Sequence, residues 1–218
     1  MLVGHFAPAL AIRAATPRVP LWALILGTQA VDVLFFAFVL GGVESASIEI
    51  DGHPQLTVTQ GIYTHSLLMT GGYFGLCLGA GALLRRWREG ALIGLAVASH
   101  WFADLIVHVP DLPLTFDQQS AVGLGLWRIA GAATALEIGL VAVGALLLYR
   151  SYEGVREKRR LVMFAGGLAA VQLVSDLVFP TPATDVELAP AAWALYAAAT
   201  GAALWVERSG EARTDAAA

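Results

Sequence analysis

His100, Asp104 and His108 stand four residues apart within one apolar stretch. On a helix, each step of four residues advances about 40° around the axis, so the three share one face over about 12 Å of length. Imidazole nitrogens and carboxylate oxygens are the donors that divalent zinc, manganese or iron takes. A His and a carboxylate one turn apart can reach the same ion, or one can orient the other. Four more ionisable residues, Asp32, His65, Glu137 and Asp176, also fall in apolar surroundings, and His5 follows Gly4 near the N-terminus. Charges placed in lipid are costly and usually face a cavity or a partner, so such a concentration is a functional signal.

The elements that would carry these residues follow from composition. Of 218 residues, 57% are hydrophobic and 14% charged, whereas a soluble domain carries about 25% charged residues. The excess apolar surface needs lipid to face. Net charge is −4 with no basic patch, which gives nucleic acid nothing to bind. The single cysteine, Cys77, excludes an internal disulfide. Residues 1–12 contain no Lys or Arg, so the next apolar run is expected to be a retained helix rather than a cleaved signal.

Six runs reach the roughly 20 residues that a spanning helix needs: residues 21–42, 63–84, 90–109, 124–149, 161–179 and 189–206. Backbone groups in lipid must bond internally, so these are expected to be helices. Basic residues alternate between loops. Arg13 and Arg18, then Arg85, Arg86 and Arg88, then Arg150, Arg156, Lys158, Arg159 and Arg160, then Arg208 and Arg213 lie on one side. The other loops are acidic or neutral. Positive residues favour the cytoplasmic face. The expected protein is an all-α, six-span bundle over residues 1–208, in a cell inner membrane, with both termini cytoplasmic and a disordered tail at 209–218.

Local features refine this plan. Residues 47–58 alternate apolar and polar around Asp51-Gly52-His53-Pro54, which predicts a short β-hairpin with His53 solvated in its turn. Residues 1–12 are too short to span; they rise about 18 Å as a helix. They are either a re-entrant half-helix with His5 at its buried tip or an amphipathic helix on the inner surface. Gly71, Gly75 and Gly79 form a small-residue stripe expected to pack against another helix of the bundle. Trp101, Trp127, Trp193 and Trp205 are expected to be interfacial anchors. Asp176 is expected at the interface. By depth, His5, Asp32, His65, His100 and Asp104 converge on a polar cavity in the outer half.

Gly4-His5, Asp32, Tyr63-Thr64-His65-Ser66 and Ser99-His100-Trp101-Phe102-Ala103-Asp104, in that order, resemble the bacterial membrane-bound metal-dependent hydrolases of the LexA-regulated inner-membrane group. The likeness covers about the first half of the chain. It departs from that pattern around Asp32, where a second Asp and a His are replaced, and at Gln60-Gly61-Ile62, where a His-Arg-Gly is replaced. Val107-His108-Val109-Pro110-Asp111 looks similar instead to a group of uncharacterised bacterial membrane proteins labelled permeases. The resemblance implies a hydrolase with a divalent metal, zinc among the candidates, acting on a lipid or lipid-linked ester or phosphoester. In such a hydrolase His65, His100 and Asp104 would be the first metal ligands and His5 and Asp32 the next, with Asp32 or His108, the latter an addition to the family pattern, as the catalytic group. Two other readings stand beside it: a small proton-coupled permease, for which six spans would call for a homo-oligomer, and a non-catalytic membrane protein whose polar residues only join helices.

Overall fold

The computed structural model describes residues 1–51, 53–129, 131–178 and 184–208. Its seven helices are α1 (Phe6–Ala15), α2 (Leu21–Leu40), α3 (Leu67–Leu83), α4 (Trp87–Val107), α5 (Ala132–Ser151), α6 (Val155–Val178) and α7 (Asp185–Glu207). Strands β1 (Ser45–Asp51) and β2 (His53–Gln60) form the one sheet among the described residues, an antiparallel hairpin with Ser47 opposite Thr57 and Ile48 opposite Leu56. The expected hairpin is therefore present. Gly52 of its turn, and the tail at 209–218, lie outside the described residues.

Four helices, α2, α4, α5 and α7, are long and apolar enough to cross a membrane. The expected run 63–84 appears as α3, which has 17 residues, and the run 161–179 extends past Val178 into residues that are not described. The run 124–149 begins late. Gly125 and Gly131 adopt left-handed backbone with φ of +71° and +73°, which stops any helix, so α5 starts only at Ala132. Large apolar side chains, including Leu76, Leu83, Val143, Val162 and Leu173, face outward. Together with the four long apolar helices, these outward-facing residues suggest insertion into a membrane.

α1 lies inside the bundle, against α2, α4 and α5. Val3, Phe6, Ala9 and Leu10 have no exposed surface, which decides against a helix lying on a membrane surface. Gly144 of α5 makes room for α1: a Cβ there would come 2.9 Å from the Ala7 carbonyl oxygen and 3.1 Å from Leu10 Cβ. At the far end of α1, Arg13 Nε donates to Glu207 Oε1 at 2.6 Å, and the Leu21 N–H donates to Glu207 Oε2 at 2.8 Å. One carboxylate thus joins the end of α1, the first turn of α2 and the end of α7, and it satisfies a helix N–H that has no intrahelical partner. Tyr152 sits beside this knot, where burial and then the Glu207 carboxylate push its phenol up to about 12.

The Gly71, Gly75 and Gly79 stripe is not a seam within the chain: a Cβ at any of them meets nothing within 4 Å. The close contact between α3 and α4 is made one face over. A Cβ on Gly81 would stand 2.8 Å from Gly90 Cα, and one on Gly94 would stand 2.9 Å from Phe74. Four-residue spacing alone could not say which glycine face pointed inward.

Gly144 and Gly139 share α5 but not its environment, since a Cβ at Gly139 meets nothing within 4 Å. Gly144→Val should displace α1 and cost about 1–3 kcal/mol by overpacking, read as a lower Tm in detergent. Gly139→Val should change stability by less than about 0.5 kcal/mol.

Candidate metal centre

Each site residue is placed by an element with a local reason for its position. His100 and Asp104 lie one turn apart on the buried face of α4, and His108 caps the C-terminus of that helix. Asp32 comes from the middle of α2. His65 lies in the turn before α3, whose N-cap Ser66 accepts from the Met69 N–H at 3.2 Å. The first two N–H groups of α3 donate to Pro113 and Leu114 carbonyls at 3.0 and 3.1 Å, so the segment after His108 and the turn bearing His65 are one unit. A Cβ on Gly123 would collide with the carbonyl oxygens of His108 and Val109; the bare backbone there lets residues 121–125 close over the end of α4.

Donor atoms converge. His100 Nε2 lies 3.1 Å from Asp104 Oδ2 and 3.3 Å from Asp32 Oδ1. His65 Nε2 lies 3.4 Å from Asp32 Oδ1 and 3.8 Å from Asp104 Oδ2. The other carboxylate oxygen, Asp104 Oδ1, faces His5 Nε2 at 3.1 Å and His108 Nε2 at 3.5 Å. It also accepts from the Met1 α-amino group. The rings of His5 and His100 stack with centroids 3.7 Å apart and planes 9° from parallel. The five side chains of His5, His65, His100, Asp104 and His108 are buried, and Asp32 is partly so.

Three of the imidazoles have their tautomer assigned by what Nδ1 touches. His100 Nδ1 lies 2.8 Å from the Thr28 carbonyl oxygen, which can only accept. His108 Nδ1 lies 3.0 and 3.1 Å from the two oxygens of Asp111. His65 Nδ1 lies 2.9 Å from Thr64 Oγ1, and that hydroxyl already donates its single proton to Glu44 Oε2 at 2.6 Å. In each case Nδ1 carries the hydrogen. The lone pair of Nε2 is then turned toward carboxylate oxygens. A lone pair against an anion in a dry interior is repulsive, so either a second proton makes the ring an imidazolium or a cation lies between them.

The distances fit that cation. Donors bound at about 2.0–2.1 Å to one tetrahedral ion stand roughly 3.3 Å apart. Four of the six separations among Asp32 Oδ1, His65 Nε2, His100 Nε2 and Asp104 Oδ2, those between an imidazole and a carboxylate, run from 3.1 to 3.8 Å. His100 Nε2 and both nitrogens of His5 make no well-aligned hydrogen bond, although carboxylate oxygens lie 3.1 and 3.3 Å from His100 Nε2. Two sets, His5–His100–Asp104 and Asp32–His65–His100, each bring their donor atoms within 4.8 Å of one another and could hold a metal ion.

All six residues singled out for chemistry, His5, Asp32, His65, His100, Asp104 and His108, thus meet in one place. Their supports were not anticipated. Glu44 also accepts from the Tyr63 and Thr64 N–H groups at 2.8 and 3.1 Å. Asp111 accepts from the Val58 N–H of the hairpin at 2.7 Å. Tyr196 of α7 donates to Asp32 Oδ2 at 2.7 Å. Glu137 is buried and accepts from the N–H groups of Leu2 and Gly4 at 2.7 and 3.0 Å. Thr64 beside His65, and Asp111 three residues past His108, were adjacent in sequence and could have been suspected; Glu137 stood out by its place in an apolar run, though not its partners, and Glu44 and Tyr196 left no such signal. Asp176 is not merely interfacial: Thr134 Oγ1 donates to it, and Gln172 Nε2 does so at 3.2 Å. Two tryptophans also differ from the expected anchors. Trp101 is buried, and Trp127 packs on the His108 ring with centroids 4.2 Å apart.

A cavity of about 580 Å³ opens beside the cluster. Asp32, His65, Asp104 and His108 form part of its wall. Most of the remainder is apolar, with Phe36 from α2, Leu56 and Val58 from the hairpin, Val171 from α6 and Leu188 from α7. No protein-family model, curated protein or solved structure matches this chain, so no family is identified.

Glu137→Ala should leave two buried N–H groups without an acceptor, at a cost of about 1–3 kcal/mol. Hydrogen exchange is expected to speed up over residues 2–6 and to stay unchanged in α7. Unaltered protection at residues 2–6 would show that Glu137 does not hold this segment.

Proposed function

We propose that the protein is a membrane-embedded metal-dependent hydrolase acting on a lipid or lipid-linked ester or phosphoester. The observation that carries this reading is the set of three imidazoles, each anchored through Nδ1 to an acceptor, with Nε2 directed at Asp32 and Asp104. Anchoring of the distal nitrogen is how proteins orient histidine for a metal. Two carboxylates and two neutral imidazoles suit zinc or another divalent first-row ion. A divalent ion held there supplies Lewis-acid polarisation of an ester or phosphoester and a more acidic water.

The chain's own residues supply binding and orientation. His65, His100, Asp104 and His5 remain the metal-binding residues expected from sequence, and Asp32 joins them as a ligand rather than as a separate catalytic group. The donor distances at Asp32 Oδ1 support that change. Phe36, Leu56, Val171 and Leu188 offer an apolar channel for an acyl or isoprenoid chain, and they exclude water from around the scissile group. The resemblance to the LexA-regulated hydrolase group fits the same assignment. Six spans, a single bundle over residues 1–208, an inner-membrane location and cytoplasmic termini complete the proposal, supported by the alternating basic loops and the apolar exterior.

Purified protein should contain a divalent metal. His65→Ala and His100→Ala should lose most of it, and activity on a lipid phosphoester should vanish on chelation and return on adding the ion. Thr64→Val keeps His65 but removes the acceptor of its Nδ1–H, so it should weaken metal affinity about 10–100-fold, read by competition with a chromogenic chelator. Hydrolysis that survives full demetallation would end this assignment. Proton-driven uptake into proteoliposomes by metal-free protein would favour the permease instead.

A further inference from the structure

We propose that the α6 wall of the cavity binds the ammonium group of an amine-bearing amphiphile, through Asp176 and Gln172. Both residues, and Thr134 of α5, line the same cavity as the His/Asp cluster. Asp176 accepts from Thr134 Oγ1 and from Gln172 Nε2. Both donors are neutral, and among the described residues no Lys or Arg lines the cavity. The other carboxylates of the lining are committed elsewhere. Asp32 and Asp104 face imidazoles, and Glu137 takes the N–H groups of Leu2 and Gly4. Among the described residues, Asp176 is thus the one lining carboxylate that meets neither an imidazole, a main-chain N–H nor a cation. A charge in an apolar helix calls for such a partner.

Gln172 supplies a second, independent argument. It is 4% exposed. Its Nε2 donates to Asp176 Oδ1 at 3.2 Å, and an amide turned the other way would set its oxygen against the carboxylate, so this bond fixes which atom is left over. That atom, Oε1, is buried without a hydrogen-bond partner. A buried acceptor left so is costly unless a ligand brings a donor. Thr134 has already given its only proton to Asp176. The wall therefore presents acceptors and a negative charge. A primary ammonium answers both, with three N–H donors and a positive charge. An alcohol brings a donor but leaves the charge, and a carboxylate head meets like charge. Val171, Val174 and Leu188 beside these residues are apolar and suit an alkyl chain. The site needs no metal and does not rest on the hydrolase reading. Joined to that reading, it names an amine-bearing lipid as the substrate.

The test uses the metal-stripped full chain in a neutral detergent, with tritiated dodecylamine as the probe and binding read by scintillation proximity. Dodecylamine is charged at neutral pH. It should bind saturably, and unlabelled dodecylamine should displace it at about 10-fold lower concentration than 1-dodecanol or dodecanoate. Asp176→Asn, which keeps the shape and removes the charge, should weaken binding about 10–100-fold, the range of a hydrogen bond to a charged group. Gln172→Met, which removes the free acceptor, should do the same. Equal displacement by the three amphiphiles on the wild type overturns the site, and this comparison needs no variant to fold. Full affinity in a folded Asp176→Asn protein also overturns it. Selective amine binding without hydrolysis of any lipid ester at any metal loading leaves this site standing and removes the hydrolase. Hydrolysis by a protein that does not prefer dodecylamine does the reverse.

Discussion

Two carboxylates, Asp32 and Asp104, sit inside an apolar helical shell, and the interior must compensate their charge. An uncompensated carboxylate in a low-dielectric setting costs several kcal/mol. Within the described residues, the groups that face Asp32 and Asp104 are four imidazoles, a tyrosine hydroxyl and an amino group. These come from separated parts of the chain: the N-terminus, the turn before α3, α4, its C-cap and α7. Bringing those parts to one point is what the helix packing achieves. The glycines at 81, 90, 94 and 144 permit the close approaches that it needs.

The compensation is built in two layers. Four Nε2 atoms face the carboxylates. Behind three of them stand acceptors that fix the rings: a helix carbonyl, a hydroxyl tied to Glu44, and Asp111. Each outer group is anchored in turn. Glu44 takes two backbone N–H groups, and Asp111 takes one from the hairpin. Partly satisfied polar networks are costly, and fully satisfied ones rigidify their surroundings. Here the outer layer is satisfied and the inner layer is left open at His5 and His100. That contrast is compatible with donors that could hold a metal ion.

α1 is the least conventional element. A ten-residue helix cannot cross a bilayer, yet it is among the most buried parts of the chain. It is held at both ends by carboxylates from other helices, Glu137 near its start and Glu207 near its end. Its depth sets the position of His5 against His100. The hairpin works from the other side, where Leu56 and Val58 close the cavity and the Val58 N–H steadies Asp111. Apolar wall and charged cluster therefore share the same supports.

Apolar runs of about 20 residues, the alternation of basic loops and the hairpin pattern needed only local composition; the hairpin is present and four long apolar helices overlap four of the six runs. The convergence of His65, His100, Asp104, Asp32 and His5 was also legible, because helical periodicity and depth along a span are properties of one segment at a time. Which face of a helix meets its neighbour was not. Gly71, Gly75 and Gly79 look like a packing stripe and point outward, while Gly81 and Gly90 make the contact. The start of α5 was missed because two glycines in left-handed backbone interrupt an apolar run that composition reads as continuous. What the sequence determined by itself was the inventory of donors and the segments that carry them, since spacing along one helix is local geometry. Only the tertiary structure decided which nitrogen of each imidazole faces inward and that Asp104 presents one oxygen to each group of donors. Those outcomes depend on Glu44, Glu137 and Tyr196, which act across long stretches of chain that no local pattern encodes, and on Asp111, which lies close to His108 in sequence but is steadied by the Val58 N–H of the hairpin.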